Sequence, residues 1–124
     1  MNLLHANDRR GEYPASWYAA TARSLAPFPM LKGAAQADVV VVGGGYTGLS
    51  AALELTARGY RVVVLEAYRV GAGASGRNGG VLGMGQRRDQ DELEAWLGRG
   101  VAQKLWQIAL DANALVRARI ARFE

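Results

Sequence analysis

Residues 39–48 read VVVVGGGYTG, four valines that run directly into three consecutive glycines. β-Branched residues favour a strand, whereas glycine permits tight turns that other residues rarely adopt. Because the apolar run is continuous rather than alternating, it predicts a buried strand of the parallel type over residues 37–42. A strand that ends so abruptly in glycine predicts a tight turn beside a bulky, charged ligand.

The residues that follow complete a βαβ pattern. Apolar side chains recur with helical spacing over residues 46–58, and Gly59 stands where a helix C-cap glycine is expected. A second apolar run over residues 61–65 predicts a second buried strand, with Glu66 at its carboxyl end. We therefore expect two parallel strands joined by a helical crossover.

The glycines have the spacing G-x-G-x-x-G, which is typical of dinucleotide-binding turns. Gly43 lets the chain turn, Gly45 lets a pyrophosphate approach the backbone, and Gly48 lets the helix lie close to the strand. The helix N-terminus then faces the phosphates. Glu66 lies close to the usual spacing of about 20 residues, where a carboxylate binds ribose hydroxyls and disfavours a 2′-phosphate. The pattern predicts a dinucleotide site; a chance glycine-rich turn is the alternative.

FAD and NAD share this motif, and the next segment bears on the choice between them. Residues 71–80 read GAGASGRNGG. Small residues let the backbone lie against a broad planar group, and their N–H groups can bind phosphate. The segment favours FAD, while an NAD-dependent dehydrogenase and an ordinary flexible loop stay open as alternatives.

The stretch ADVVVVGGGYTGLSAALELTARGYRVVVLEAYRVGAGASGRNGG resembles the N-terminal FAD-binding region of D-amino-acid-oxidase-like flavoproteins, which include glycine and sarcosine oxidases. The likeness is greatest to the γ-glutamylputrescine oxidase branch. In that branch an aromatic, proline-containing arm similar to SWYAATARSLAPFPMLKG precedes the first strand. The resemblance covers most of residues 14–83. It implies FAD as the cofactor.

The resemblance also implies a role for each matching position along FAD. Around the pyrophosphate it places Gly43, Gly45, Tyr46, Thr47 and Gly48. At the adenosine end it places Glu66 on the ribose, with Ala67 and Arg69 near the adenine. Toward the middle of FAD and its isoalloxazine ring it places Gly73, Ala74, Ser75, Arg77, Asn78, Gly79 and Gly80. Arg77 has an equal alternative as a surface or phosphate-pairing arginine.

The reaction that the resemblance implies is oxidation of a C–N bond in a small-molecule amine or amino acid, by hydride transfer to flavin N5. The residues present assign no catalytic side chain, because the cofactor carries this chemistry. The resembling enzymes also need a later part of the same protein, so the 124-residue chain alone is expected to be inactive. A non-catalytic FAD- or NAD-binding module is the alternative.

Composition excludes several other kinds of site. The chain has no cysteine, and its single histidine, His5, is expected to be a solvated tail residue, so no metal site is predicted. The net charge is +4, with basic residues at Arg87, Arg88 and within residues 117–122. The basic residues within 117–122 lie on a predicted helix whose other face is apolar, so we expect them to form its solvated face rather than a nucleic-acid-binding surface. Without a signal-like or membrane-spanning run, we expect a cytoplasmic protein.

The N-terminal arm is expected to span residues 1–36, and the N-terminal part of an FAD-binding domain residues 37–124. Three prolines punctuate the arm. Ser16 is expected to cap a short helix that carries Trp17 and Tyr18, and such aromatic residues usually pack back on the main body.

Beyond the glycine-rich loop, residues 81–84 are expected to be extended, and helices are predicted from Asp89 onward, broken or kinked at Gly98 and Gly100. The predicted apolar stripe of the last helix comprises Val101, Leu105, Ile108, Ala112, Leu115, Arg119 and Phe123. The fold class is therefore α/β: a Rossmann-like βαβ unit followed by C-terminal helices, an incomplete part of a larger doubly wound domain.

Overall fold

The computed structural model describes residue 9, residues 11–23 and residues 25–123. His5 lies outside the described residues. Two compact units are present, Met1–Gly79 and Gly80–Glu124. The predicted division into an arm over residues 1–36 and a domain over residues 37–124 stays a prediction.

The first unit contains the predicted βαβ arrangement. Its helices and strands are α1 (Trp17–Thr21), β1 (Val39–Val42), α2 (Tyr46–Ala57) and β2 (Val62–Leu65). The strands pair in parallel, with Val39 opposite Val62 and Val42 opposite Leu65. Helix α2 is the crossover and packs against both strands. The mixed α/β class and the small parallel sheet are confirmed.

Only one face of β1 is covered within this unit. An added Cβ at Gly48 of α2 would lie 3.2 Å from Val41 Cγ1, so Val41 points toward the helix. Alternate side chains of a strand point to opposite faces. Val40 and Val42 accordingly point away from the helix and are 55% and 84% exposed. The prediction of a buried strand is therefore wrong for one face, because α2 packs against the other.

The C-terminus of helix α2 is followed by the glycine cap that the sequence predicts, Gly59. Its last residue is Ala57, one residue before the predicted end, and Arg58 is the C-cap. Gly59 has φ +88° and donates its N–H to the carbonyl of Thr56 at 3.0 Å. A left-handed residue at this position satisfies a carbonyl that the helix leaves open. The C-cap assignment of Gly59 is confirmed.

The short arm helix α1 has the predicted cap. The Ala19 N–H donates to Ser16 Oγ at 3.2 Å. Trp17, however, is 77% exposed, and Tyr18 is exposed as well. The expectation that these aromatic residues pack on the main body is wrong for Trp17, whereas the Tyr18 hydroxyl lies beside Gly79, at 3.7 Å from where a Cβ would be. The half-buried aromatic residue of the arm is Tyr13.

An ion pair joins the amino ends of the two strands. The Asp38 carboxylate accepts from the Arg61 backbone N–H at 2.8 Å and from Arg61 Nη2 at 2.9 Å. Hydrogen bonds from the Arg61 side chain, and then from its backbone, hold the pKa of Asp38 below the usual value. A lowered carboxyl pKa in the folded state stabilises the fold above the unfolded value, near about pH 3.9, and this contribution is lost as pH falls through the folded pKa.

We therefore expect Asp38→Ala to lower the free energy of unfolding near neutral pH. The difference in unfolding free energy between the variant and the unsubstituted protein should shrink as the pH falls below about 3.9, because the Asp38 carboxyl then becomes protonated in both the folded and the unfolded state. Urea unfolding across this pH range measures the difference. A difference that stays constant with pH would contradict a contribution from the ionised carboxylate.

The second unit is a helical hairpin, formed by α3 (Gln90–Leu97) and α4 (Arg99–Phe123). Gly98 joins the two helices with φ +79°, so the predicted break occurs there. Gly100 lies in the first turn of α4, and the prediction that it also breaks or kinks the helix is wrong. Residues 81–84 have no regular secondary structure, so the extended segment predicted there is not observed.

The buried face of α4 differs from the predicted stripe. Ala102 is fully buried and Leu105 is half-buried, whereas Val101 and Ile108 are exposed. Because α4 begins directly after a one-residue connection, its first turn approaches α3 closely, and the smallest side chain occupies the contact. The larger apolar residues of the stripe are left largely exposed.

Among residues 9, 11–23 and 25–123, no helix combines the length and apolar character that crossing a bilayer requires. Within the same residues, no group of three or more His, Cys, Asp or Glu side chains is arranged to hold a metal ion.

Candidate functional site: a glycine-lined groove beside Glu66

The turn after β1 requires glycine at two positions. Gly43 has φ +101°, a conformation that L side chains rarely adopt, and its N–H donates to the Leu65 carbonyl at 2.8 Å. An added Cβ at Gly48 would lie only 2.0 Å from the Gly43 carbonyl oxygen. The first turn of α2 therefore lies against the end of β1, which brings the N–H groups of the helix to the sheet edge.

Glu66 follows β2 and is held by the backbone on two sides. Its Oε2 accepts from the Gly44 N–H at 2.6 Å, and its Oε1 accepts from the Tyr68 N–H at 2.9 Å. A carboxylate offers about four lone-pair sites, so each oxygen keeps one further acceptor site. The orientation of the carboxylate is set before any ligand arrives.

The loop after Glu66 repeats the geometry of the first turn. Gly71 has φ +76°, and its N–H donates to the Gly44 carbonyl at 2.9 Å. An added Cβ at Gly76 would lie 2.2 Å from the Gly71 carbonyl oxygen. A short 3₁₀ turn, Ala74–Gly76, follows. The two glycine turns are thus joined by a backbone hydrogen bond and lie side by side.

Ser75 brings the second turn to the N-terminus of α2. The Tyr46 N–H donates to Ser75 Oγ at 2.9 Å. An added Cβ at Gly45 would lie 2.9 Å from the same oxygen. The helix N-terminus, which carries a partial positive charge, is therefore bordered by a hydroxyl and by backbone without a side chain.

These elements line a cavity of about 460 Å³ in the first unit. That volume lies within the range of about 300–1,000 Å³ that is typical of small-molecule pockets. The predicted site residues that line it are Gly45, Glu66, Gly73, Ala74, Ser75 and Arg77. Gly71 and Ala72, which begin the glycine-rich segment over residues 71–80, line it as well. Lining residues that the sequence did not indicate are Arg9, Glu12, Tyr13, Pro14, Ala15 and Tyr68. No local pattern marks the first five, because their position depends on where the arm folds back.

Two other predicted site residues contact Ser75 without lining the groove. Tyr46 donates its N–H to Ser75, and Asn78 Nδ2 donates to the Ser75 carbonyl at 2.7 Å. The predicted residues outside the lining are Gly43, Tyr46, Thr47, Gly48, Ala67, Arg69, Asn78 and Gly79. Gly80 begins the other unit.

The charges of the groove suit a nucleotide with a pyrophosphate. Arg9 and Arg77 line it, and Arg77 is oriented by its Nε, which donates to the Ala72 carbonyl at 2.9 Å. Arg9 lies 3.8 Å from Glu12 in an exposed ion pair. Cations and the α2 N-terminus suit phosphates, while Glu66 suits hydroxyl donors. A side chain at Gly45 would displace the Ser75 hydroxyl from its place beside the α2 N-terminus. The donor set and the cradle therefore fit a dinucleotide.

A parallel βαβ unit with a glycine turn and an acid after its second strand defines the class of dinucleotide-binding proteins. Residues 38–124 match the family model described as FAD dependent oxidoreductase, DAO. The chain therefore belongs to the DAO family of FAD-dependent oxidoreductases, and FAD is the cofactor of that family. The resemblance inferred from the motifs and the assignment of FAD are confirmed.

Curated relatives agree with this membership. The chain is 48% identical over 113 residues to gamma-glutamylputrescine oxidoreductase of Escherichia coli K12, covering 91% of the chain and 26% of that protein. It is 50% identical over 101 residues to the probable oxidoreductase OrdL of Rhizobium meliloti, covering 82% of the chain and 24% of that protein. The chain thus spans about a quarter of the length of these relatives. No solved structure matches it significantly.

Proposed function

We propose that this chain is the FAD-binding segment of an oxidoreductase that oxidises the C–N bond of an amine or amino acid. The observation that carries the proposal is the convergence of Gly45, Glu66 and Ser75 on one groove at the N-terminus of α2. The 48% identity to a gamma-glutamylputrescine oxidoreductase supports a γ-glutamylputrescine-like substrate.

In this proposal the pyrophosphate lies against Gly45 and the first turn of α2, with Thr47 and Gly48 behind it. The Ser75 hydroxyl, which accepts from the Tyr46 N–H, keeps its own proton to donate to a phosphate oxygen. Glu66 accepts from the adenosine ribose through its remaining lone pairs, with Ala67 nearby. These contacts position the cofactor before any substrate binds.

The second glycine turn serves the rest of the cofactor. Gly73 and Ala74 face the middle of FAD, and Arg77 neutralises phosphate charge or faces the ring. Asn78, Gly79 and Gly80 continue toward the isoalloxazine. Bound FAD supplies a hydride acceptor at N5, and the protein residues hold it in place.

The surfaces that this chain leaves apolar and exposed support a larger doubly wound domain. Val40 and Val42 form an open sheet face, and α4 leaves Ile108 and Phe123 exposed. A strand buried on both faces is usual in α/β folds with helices on each side. We propose that a further part of the same protein covers these surfaces and supplies the substrate pocket.

The test is substrate-dependent bleaching of the flavin spectrum under anaerobic conditions. We expect the full-length protein carrying this sequence to bind FAD and to lose flavin absorbance when γ-glutamylputrescine is added, with glycine and sarcosine as comparison substrates. The 124-residue chain with added FAD should show no bleaching, because in this proposal the substrate pocket comes from a further part of the same protein.

The outcomes separate the alternatives. Full-length protein that binds FAD but is bleached by no amine or amino acid would favour a non-catalytic dinucleotide-binding module. Full-length protein that takes up no FAD would refute the proposal altogether. Clear bleaching with the 124-residue chain would refute only the view that this segment needs the rest of the protein.

A further inference from the structure

The groove has one wall that the glycine motif does not supply. Arg9, Glu12, Tyr13, Pro14 and Ala15 line the cavity together with residues of the two glycine turns. These arm residues precede the first strand by more than twenty positions in the sequence. The arm therefore folds back to reach the groove, and specific contacts must hold it there, since ordering a backbone segment costs conformational entropy.

The contacts that hold the arm converge on Tyr13. The Tyr13 hydroxyl donates to the carbonyl of Val70 at 3.1 Å, and the ring lies under the Arg69 guanidinium, with 4.8 Å between the guanidinium carbon and the ring centroid. Such a stacked cation is attracted by the face of the ring. Tyr13 is half-buried, whereas Trp17 in the same arm is mostly exposed.

Arg69 also binds the arm backbone on both sides of α1. Its Nη2 donates to the carbonyl of Leu25, and its Nη1 lies 3.5 Å from the carbonyl of Gly11. Arg69 and Val70 directly precede Gly71, the start of the second glycine turn. The clamp therefore links the arm to the turn that carries Gly73 and Ser75.

We propose that Arg9 and residues 12–15 form part of the FAD site and that Tyr13 and Arg69 are positioning residues that clamp this segment across the groove. The inference rests on the proposed FAD site. In it, the arm covers the cofactor after binding and slows its release, and Arg69 acts through the arm rather than by contact with the adenine. Arg9 then faces the phosphates from the side opposite α2.

Tyr13→Phe tests the clamp in the full-length protein, because it keeps the ring and removes only the hydroxyl that binds Val70. The loss of one hydrogen bond should weaken FAD binding about three- to tenfold, mainly through faster dissociation, as measured by the recovery of flavin fluorescence. Arg69→Gln removes the cation that stacks on the Tyr13 ring and the guanidinium that binds the Leu25 carbonyl, so it should weaken FAD binding at least as much as Tyr13→Phe. Trp17→Phe, in the same arm but mostly exposed and outside the groove, should leave binding unchanged.

Limited trypsin digestion supplies a readout that a purely structural role would not change. Bound FAD should protect the peptide bond after Arg9 in the unsubstituted protein and protect it much less in Tyr13→Phe. Mass spectrometry identifies the cleavage. Weaker FAD binding without FAD-dependent protection of this bond would overturn the inference, because the arm would then act through general stability.

The parallel variant Glu66→Ala separates failure of the clamp from failure of the FAD site. If Glu66→Ala weakens FAD binding while Tyr13→Phe binds and protects normally, the clamp is wrong and the proposed site stands. If the unsubstituted protein takes up no FAD, the proposed function fails and the clamp fails with it.

Discussion

Gly48→Ala should abolish measurable FAD binding by the full-length protein and lower its free energy of unfolding by about 3 kcal/mol or more. Alanine favours a helix interior over glycine by about 1 kcal/mol, which acts in the opposite direction. The new Cβ, however, would lie 2.0 Å from the Gly43 carbonyl oxygen, a backbone atom that cannot rotate away. Overpacking typically lowers the free energy of unfolding by about 1–3 kcal/mol, and we expect a clash this close with a backbone atom to cost at least the upper value of that range.

The damage should also reach the cofactor, because α2 must move away from the turn to relieve the clash. Its N–H groups then no longer face the pyrophosphate. Fluorescence titration with FAD and urea unfolding measure the two effects. Gly100→Ala is the matched control: Gly100 is also in the first turn of a helix, but its added Cβ meets nothing within 4 Å. That variant should be neutral or slightly stabilising, and equal losses in both variants would contradict the close-contact explanation.

Glu66→Ala should weaken FAD binding about ten- to a hundredfold in the full-length protein. Hydrogen bonds to a charged group contribute about 1.5–3 kcal/mol each, and water replaces part of that loss. A loss of about 1.4 kcal/mol corresponds to a factor of ten in the dissociation constant. The N–H groups of Gly44 and Tyr68 also lose their acceptor, so the turn itself becomes less ordered. An unchanged dissociation constant would exclude the ribose assignment.

Two further variants sharpen the Glu66 experiment. Glu54→Ala removes an exposed carboxylate of α2 whose partner is Arg58, at 2.8 Å, and should not change FAD affinity. Glu66→Gln keeps the shape but has only one acceptor oxygen, whereas the two carboxylate oxygens accept from separate backbone N–H groups. Its amide NH₂ must then face a donor, so we expect glutamine to resemble alanine more than glutamate.

The sequence was most informative where the chemistry is local. The valine run, the glycine spacing and Gly59 predicted two strands and a helix within one residue of most observed ends. These elements depend on backbone freedom and on apolar periodicity, both of which are properties of short segments. The same spacing predicted that Gly48 lies against the strand, and the 2.0 Å separation from the Gly43 oxygen shows why glycine is required there.

Burial was harder to predict, because it depends on what lies opposite each face. The continuous run of valines in β1 predicted a strand buried on both faces, yet Val42 is 84% exposed in this chain. On α4 the periodicity indicated an apolar stripe, but the most buried described residue of the helix is Ala102, which lies beside that stripe. Periodicity reveals that a helix has an apolar face; the partner decides which residues are covered.

By itself, then, the sequence determined the βαβ unit, the glycine turn, the acid after β2 and membership of an FAD-dependent family, since all of these lie in consecutive segments with a fixed spacing. Only the tertiary structure decided that Ser75 meets the Tyr46 N–H and that the arm closes one side of the groove through Tyr13 and Arg69. Those contacts join residues that are at least 29 positions apart in the sequence. The partner of a hydroxyl or an aromatic ring at such a distance depends on how the whole chain folds, and no local sequence pattern indicates it.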